Sequence, residues 1–168
     1  MTTGPVWTNL DLTWSPEVSS GVVSAAERSY PAESCGYLLG PRDPAGLVDE
    51  FVCLPNLASS ENRSPRNAFV VNPLVLARAI DSGNRINRPV KVFFHSHCDA
   101  TPELSFADLR TIRAEDGLLW PCAWLVLSVR QGEPVTWKLW GYEPITGEMI
   151  EKTLTHHDAA DLRDRRRR

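Results

Sequence analysis

Residues 90–108 of the chain read VKVFFHSHCDATPELSFAD and place a run of apolar residues directly before two histidines. The apolar run, residues 90–94, follows Pro89 and is typical of a buried strand in the centre of a sheet. Because side chains at positions i and i+2 of a strand point to the same side, His95 and His97 can present two imidazoles to one point. The segment therefore predicts a central strand that ends in a pair of metal ligands.

A serine and an aspartate, Ser105 and Asp108, follow the second histidine at a fixed distance. Three positions apart on a helix, they share one face, so Asp108 can supply a carboxylate oxygen beside the two imidazoles. Zinc accepts this mixture of ligands, and three protein ligands leave a fourth tetrahedral position for water, as in catalytic zinc sites. We therefore predict one zinc ion per chain, bound by His95, His97 and Asp108.

Each half of this pattern also has a simpler interpretation. Ser105-x-x-Asp108 matches the capping box of a helix, in which the serine oxygen accepts a main-chain amide hydrogen. A His-x-His pair that stands alone at a strand end is usually a surface or core pair. The four residue types at these offsets arise by chance only about once in a few thousand chains of this length, so their combination favours the metal site.

A hydrolytic site also needs a general base that stays outside the coordination shell. Glu33 is the candidate, because it directly precedes the short apolar run at residues 35–39. At a strand edge it could lean over a site built on the neighbouring strand. Taken alone, Glu33 would be an ordinary surface glutamate.

Helices and strands alternate along the rest of the chain, which predicts an α/β domain. Proline follows a capping residue at Ser15 and Asn72, which indicates two helix starts, while Gly83 and Gly117 indicate helix ends. Helices are predicted over residues 16–30, 73–82 and 104–115. Strands are predicted over residues 35–40, 47–54, 69–71, 90–94, 122–129 and 135–140, with 47–54 as the hairpin partner of 35–40.

Composition restricts the class of protein further. A length of 168 residues fits one domain, and 42% hydrophobic with 23% charged residues is globular. The net charge of −3 disfavours nucleic acid as a partner. Residues 1–14 lack the features of a secretory signal, and no apolar run could span a membrane, so we expect a cytoplasmic protein without membrane contact. Residues 153–168 are predicted to be a disordered, arginine-rich tail.

The cysteines and tryptophans suggest packing roles. The four cysteines form no C-x-x-C pair, so we expect mostly reduced, small core residues. Most of the six tryptophans lie in or beside predicted strands, where packing explains them better than a stacking platform for nucleic acid.

Residues 33–40, ESCGYLLG, followed by the His-x-His and Ser-x-x-Asp patterns, resemble the JAMM (MPN+) zinc metallopeptidases, in particular their compact bacterial branch. The resemblance covers about residues 12–142 and assigns residues 10–152 to one metallopeptidase domain. It implies a mixed β-sheet flanked by helices, similar to the fold of the cytidine deaminases.

The resemblance also implies a role for each residue of the pattern. In that family the counterparts of His95, His97 and Asp108 bind zinc, the glutamate corresponding to Glu33 is the general base and acid, and the serine corresponding to Ser105 steadies the tetrahedral intermediate. Cys98 stands where members commonly have a proline. It is either an inhibitory fourth ligand or a small buried thiol, and we favour the thiol.

The resemblance further implies a substrate. The family cleaves peptide or isopeptide bonds after the C-terminal glycines of ubiquitin-like proteins, and compact bacterial members trim sulfur-carrier proteins. We therefore expect a partner protein that ends in Gly-Gly, with its extended tail added to a sheet edge. Asn67, Phe69 and Val71 are predicted to bind that tail. The oligomeric state stays open, with a homodimer among the options.

Three other functions are weaker. A non-catalytic MPN scaffold is the main alternative, although such members usually lose the metal ligands. A zinc deaminase needs His-x-Glu and Pro-Cys-x-x-Cys, and Pro121-Cys122 lacks the second cysteine. A role on DNA would rest on the short arginine run at residues 163–168, which an aspartate interrupts and for which solvation is the simpler explanation.

Overall fold

The computed structural model describes residues 5–59 and 64–157. Within these residues the helices are the 3₁₀ helix Val6–Asn9, α1 (Pro16–Ser29), α2 (Pro73–Arg85) and α3 (Phe106–Ile112). The strands are β1 (Leu12–Trp14), β2 (Cys35–Leu39), β3 (Leu47–Val48), β4 (Glu50–Leu54), β5 (Val90–Cys98), β6 (Arg113–Ala114), β7 (Gly117–Leu118), β8 (Ala123–Val129), β9 (Thr136–Glu143), β10 (Glu148–Lys152) and β11 (Leu154–His156).

A six-stranded sheet with the order β10-β9-β8-β5-β2-β4 forms the centre of the molecule. The pair β5–β8 is parallel and the other neighbours are antiparallel, so the sheet is mixed. Strand β5 lies inside the sheet and runs on through both histidines to Cys98. The predicted α/β domain, a mixed sheet flanked by helices, is confirmed.

The two faces of this sheet carry separate apolar clusters. One packs α1 against the sheet through residues such as Val22, Phe94 and the fully buried Trp14. The other joins α2 and α3 to the sheet through residues such as Leu76 and Ile112. Trp14 and Trp124 are among the largest fully buried side chains, which supports the packing role predicted for the tryptophans.

A second sheet, of order β11-β1-β3, joins distant parts of the chain and corrects two predictions. Residues 47–54 form two strands: β4 pairs with β2 as expected, whereas β3 pairs with β1. The segment after residue 153 was expected to be disordered, yet β11 pairs in parallel with β1, with Leu154 opposite Leu12. Residues 158–168, which hold the arginine run, lie outside the described residues.

The predicted helix starts are confirmed, but two helix ends are wrong. Helix α2 continues past Gly83 to Arg85. Gly83 does not end the helix but allows the chain to pass close to it, since a Cβ there would lie 2.5 Å from the carbonyl oxygen of Arg88. Helix α3 ends at Ile112, because residues 113–118 form the hairpin β6–β7. Gly117, expected as the helix stop, has a φ of 137° and lies in that hairpin.

Lys91, on β5, is fully buried and closes the turn between β2 and β3. Its Nζ donates to the carbonyl oxygens of Pro41 at 2.6 Å, Ala45 at 2.7 Å and Leu47 at 2.8 Å. Burial lowers the pKa of Lys91 to about 8, so at neutral pH the group is an ammonium that donates to these three acceptors, with the carbonyl oxygen of Pro44 as a fourth, more distant one at 3.4 Å. The charge of a core lysine is thus balanced by main-chain dipoles.

All four cysteines are free thiols. Cys35 and Cys122 are buried, and burial raises the pKa of each thiol to about 12. Cys53 is exposed, so the expectation of a core position is wrong for this residue, which lies on the edge strand β4. No helix in the part of the chain that the structure describes is long and apolar enough to cross a membrane.

Candidate metal centre and catalytic site

His95, His97 and Asp108 meet at the end of β5, where α3 begins. The two Nε2 atoms lie 3.1 Å apart. The carboxylate of Asp108 places Oδ1 3.2 Å from His95 Nε2 and Oδ2 3.2 Å from His97 Nε2. All three residues are buried and can offer ligand atoms within 4.8 Å of one another. The structure therefore brings the three predicted ligands together.

The hydrogen bonding of His97 fits a metal ligand. Its Nδ1 lies 2.8 Å from the carbonyl oxygen of Thr101, which can only accept, so Nδ1 carries the hydrogen. In the neutral imidazole, Nε2 then turns a lone pair toward His95 and Asp108. Two imidazole nitrogens and a carboxylate that face one point repel each other unless a cation or a proton lies between them, so this donor set fits a divalent metal.

The pKa shifts of His95, His97 and Asp108 show which of these side chains holds a proton most strongly. Burial opposes ionisation of Asp108, yet hydrogen bonds from His95 and His97 hold its pKa below the ordinary range. Burial lowers the pKa of His95. Burial also acts to lower the pKa of His97, but its hydrogen bonds to Asp108 and Thr101 outweigh this effect and raise it. A proton on His97 therefore competes with a metal for the same lone pair.

Two aromatic rings pack on His95, whose side chain is fully buried, and a third ring supports both of them. The ring centroid of Phe69 lies 4.6 Å from that of His95, Trp124 lies 5.9 Å away, and Phe93 packs on both Phe69 and Trp124. This apolar wall excludes water from one side of the ligand set and fixes the orientation of the imidazole.

The residues predicted to bind a substrate tail have different positions. Residues 69–71 form no strand, so the predicted sheet edge is wrong, and Phe69 instead packs on His95. Asn67 and Phe69 do line the cavity beside the metal ligands. Val71 is absent from that lining and packs against the apolar cluster under α2 and α3.

Glu33 lines the same cavity of about 320 Å³, together with His97, Ser105 and Asp108. Only 6% of its surface is exposed. Its negative charge contributes to the raised pKa of His97 and of Cys98, as expected for a carboxylate close to both. The predicted general base therefore lies at the cavity of the predicted ligands, two residues before the adjacent strand β2 begins.

Cys98 is half-buried and also lines the cavity. Burial, followed by the charge of Glu33, raises the pKa of its thiol to about 11. Among the described residues, the ligand atoms that cluster within 4.8 Å of one another belong to His95, His97 and Asp108, and Cys98 is not one of them. This agrees with the interpretation of Cys98 as a thiol outside the ligand set.

Ser105 begins α3, and the capping box expected from the sequence is present. Its Oγ accepts from the main-chain amide of Asp108 at 3.1 Å, and its own amide donates to Asp108 Oδ2 at 2.8 Å. The cap and the metal site are thus one arrangement, since the same carboxylate faces the histidines. Ser105 is exposed at the cavity, and its hydroxyl retains a hydrogen that can be donated to a substrate.

Sequence reasoning missed the residues that hold Glu33 in place. Ser96, between the histidines and fully buried, accepts at Oγ from the main-chain amide of Ser34 at 2.8 Å. Its own amide donates to the carbonyl oxygen of Ser34 at 3.0 Å. Strand alternation indicates that Ser96 faces away from the ligands, but nothing in the sequence identifies Ser34 as its partner.

Comparison with solved structures shows the same fold in bacterial proteins. Protein DSY2949 from Desulfitobacterium hafniense has a TM-score of 0.65 and 24% identity, over 88% of this chain and 94% of that one. A protein from Salinibacter ruber has a TM-score of 0.59 and 22% identity, over 88% and 93% of the two chains. AF2198, a JAB1/MPN domain protein from Archaeoglobus fulgidus, is less similar, with a TM-score of 0.48 and 20% identity over 86% of this chain and 97% of that one.

No curated protein matches the chain. The family described as prokaryotic homologs of the JAB domain matches residues 15–140, which is more than half of the chain. This range contains Glu33, both histidines, Ser105 and Asp108, and it agrees with the resemblance to JAMM/MPN proteins noted in the sequence. The chain therefore belongs to the prokaryotic homologs of the JAB domain.

Proposed function

We propose that this chain is a zinc-dependent metallopeptidase or isopeptidase that cleaves after the C-terminal Gly-Gly of a ubiquitin-like or sulfur-carrier protein. The convergence of two imidazoles and one carboxylate beside the buried Glu33 is the observation that carries the proposal. Membership of the JAB/MPN family supports a hydrolytic or scaffold role, and the complete ligand set favours hydrolysis. We place this activity in the cytoplasm.

Each side chain at the cavity has a task in such a hydrolysis. His95, His97 and Asp108 would hold zinc, which lowers the pKa of water and polarises a carbonyl group. Glu33 takes the proton from the attacking water and later returns it to the leaving amine. The hydroxyl of Ser105 donates a hydrogen bond to the oxyanion that develops on the scissile carbonyl. Water is the nucleophile in the proposed hydrolysis, so no acyl-enzyme forms.

The cavity also suggests how a glycine tail is admitted. Asn67 and Phe69 contribute to its lining, and so does the loop before α3. Glycines, which lack a side chain, would let the main chain of the substrate approach the ligands closely. The proposed substrate is thus a protein whose narrow C-terminal tail enters while its folded body stays outside.

The decisive experiment measures zinc content by plasma mass spectrometry and cleavage by protein mass spectrometry. The substrate is a small carrier protein extended beyond its Gly-Gly end. The wild type should hold about one zinc per chain and cleave after the second glycine. Asp108→Ala should lose both properties, whereas Glu33→Gln should keep zinc and cleave about 100-fold to 10,000-fold more slowly.

Asp116→Ala is the matched control, because Asp116 is an exposed aspartate in the turn between β6 and β7 and should change neither property. If the wild type takes up no zinc even when it is supplied, the catalytic proposal is wrong. The domain would then act as an MPN scaffold. If the wild type binds zinc but cleaves no Gly-Gly substrate, the proposed substrate is wrong and the proposed zinc site stands.

A further inference from the structure

The side chain of Asn56 joins two parts of the cavity that are separate in sequence. Its Nδ2 donates to the carbonyl oxygen of Glu33 at 3.0 Å and to that of Ala68 at 2.9 Å. Its Oδ1 accepts from the main-chain amides of Ala58 and Val70, each at 3.0 Å. A primary amide has two hydrogens and two oxygen lone pairs, so every hydrogen-bonding position of Asn56 is used on main chain.

The position of Asn56 follows from the pairing of β2 with β4. Cys35 lies opposite Leu54 in this antiparallel pair, so two steps further Asn56 comes opposite Glu33. The ladder stops before that point, since Pro55 has no amide hydrogen. The side chain of Asn56 thus replaces the main-chain bonds that a continued ladder would give to Glu33.

The segment that Asn56 bonds on its other side is the rim segment, residues 64–70. It holds Glu33 directly as well, because the Glu33 amide donates to the carbonyl oxygen of Pro65 at 2.7 Å. It also carries Phe69, whose ring packs on His95, and Asn67, which lines the cavity. Asn56 therefore links the main chain of the general base to the wall of the metal site.

We propose that Asn56 is a positioning residue for the reaction: it sets the main chain of Glu33 relative to the metal ligands through its bonds to Glu33 and to the rim segment. This inference rests on the proposed function of the site. Aspartate cannot replace Asn56, because it has no hydrogen to donate and would set a carboxylate against two carbonyl oxygens. A displacement of about 1 Å at a reacting group can reduce the rate about 100-fold.

The test compares Asn56→Asp with Asn72→Asp. Asn72, which caps α2, only accepts a hydrogen bond, from the Leu74 amide at 3.0 Å, so aspartate keeps its contact. With the carrier substrate, Asn56→Asp should keep about one zinc per chain and lose about 10-fold to 100-fold in kcat. Asn72→Asp should match the wild type. Equal kcat in Asn56→Asp and the wild type would overturn the inference.

A double variant separates positioning from a general loss of structure. If Asn56 acts through Glu33, Asn56→Asp should cause little further loss in the Glu33→Gln background, because both changes remove the same contribution. A full additional loss there would contradict the inference. Should Asn56→Asp fail to fold, Asn56→Gln, which keeps the amide but shifts it by one methylene, is measured in the same way.

Hydrogen exchange gives a readout that needs no activity. In Asn56→Asp the amide of Glu33 should exchange faster than in the wild type, because the lost bonds to the carbonyl oxygens of Glu33 and Ala68 loosen its bond to Pro65. The Val70 amide is the internal control, since aspartate still offers it an acceptor oxygen. If the wild type cleaves nothing, the proposed function fails and the exchange of the Glu33 amide alone decides the positioning role. Unchanged protection of the Glu33 amide would overturn it.

Discussion

Asp108 shows how one side chain can satisfy a helix and a metal site together. Its carboxylate receives the amide of Ser105, which caps α3, and it faces the two histidines at 3.2 Å. The positive end of the helix and the imidazoles both favour the ionised form, so Asp108 stays a carboxylate although it is buried. Capping and metal binding are therefore compatible interpretations of the Ser-x-x-Asp spacing.

We expect zinc to stabilise the protein more at pH 8 than at pH 5.5. The raised pKa of His97 means that its proton stabilises the metal-free fold below the ordinary value of about 6.5, and that this contribution is lost as pH rises. Zinc needs the deprotonated nitrogen, so its own contribution grows over the same range. The rise in Tm on zinc addition, measured by calorimetry at both pH values, checks this prediction. An equal rise at both would contradict it.

Ser96→Ala should lower the free energy of unfolding by about 1–3 kcal/mol, because a buried amide and hydroxyl of Ser34 lose their acceptor. Urea unfolding of the zinc-loaded protein measures the change. Ser20→Ala, at an exposed position of α1, should stay within about 0.5 kcal/mol of the wild type. A similar effect of both substitutions would show that the bonds between Ser34 and Ser96 do not stabilise the fold.

The roles of Glu33 and Ser105 were predicted only through the resemblance to the JAMM proteins, whereas the three ligand residues could be found from the sequence, because metal ligation fixes both residue type and spacing. Asn56 and Ser96 could not, since their partners are main-chain atoms 23 and 62 positions away along the chain. In the sequence alone, such a residue cannot be distinguished from any other polar residue of a loop or strand until the pairing of the strands is known.

At the scale of elements, the long helices and central strands were predicted with errors at two helix ends, whereas β1, β10 and the shortest strands were missed. Strands β3, β6, β7 and β11 have two or three residues, too few to show a periodicity. Residues 69–71 have the composition of a strand, yet their main chain is bonded to the side chain of Asn56 and to the amide of Leu57. Tertiary bonding overrides the local preference there.

Gly83→Ala should destabilise the protein, although alanine normally favours a helix over glycine by about 1 kcal/mol. The added methyl group would lie 2.5 Å from the carbonyl oxygen of Arg88, a main-chain atom that cannot turn aside. Ser82→Ala, one residue earlier and exposed, provides the control and should stabilise slightly. Thermal unfolding of both variants decides. A higher Tm for Gly83→Ala would contradict the prediction and show that the main chain at Arg88 can move away from the added methyl group at little cost.

At the scale of the whole molecule, the small sheet β11-β1-β3 closes the domain. It brings residues near both ends of the described chain together and covers Trp14, which is fully buried. The mixed main sheet was expected from the resemblance to JAMM/MPN proteins, whereas this closure was missed because charge and low hydrophobicity dominate the sequence after residue 153. The pairing of the three residues of β11 with β1 gives this segment a regular structure that its composition does not predict.

Leu154→Ala should therefore lower the free energy of unfolding by about 1–2 kcal/mol, less than for a fully buried leucine, because Leu154 is half-buried against the cluster that contains Trp14. Thr155→Ala, on the same strand but exposed, should have little effect. Chemical denaturation with tryptophan fluorescence reports on both. Equal stability of the two variants would contradict a closing role for β11.

The carbonyl oxygens around Lys91 surround its ammonium group in the way that carbonyl oxygens surround a protein-bound Ca²⁺ ion. Here the cation is covalently tethered to the strand that carries the histidines, so no chelator can remove it. Stripping zinc from the catalytic site should thus leave the turn between β2 and β3 closed.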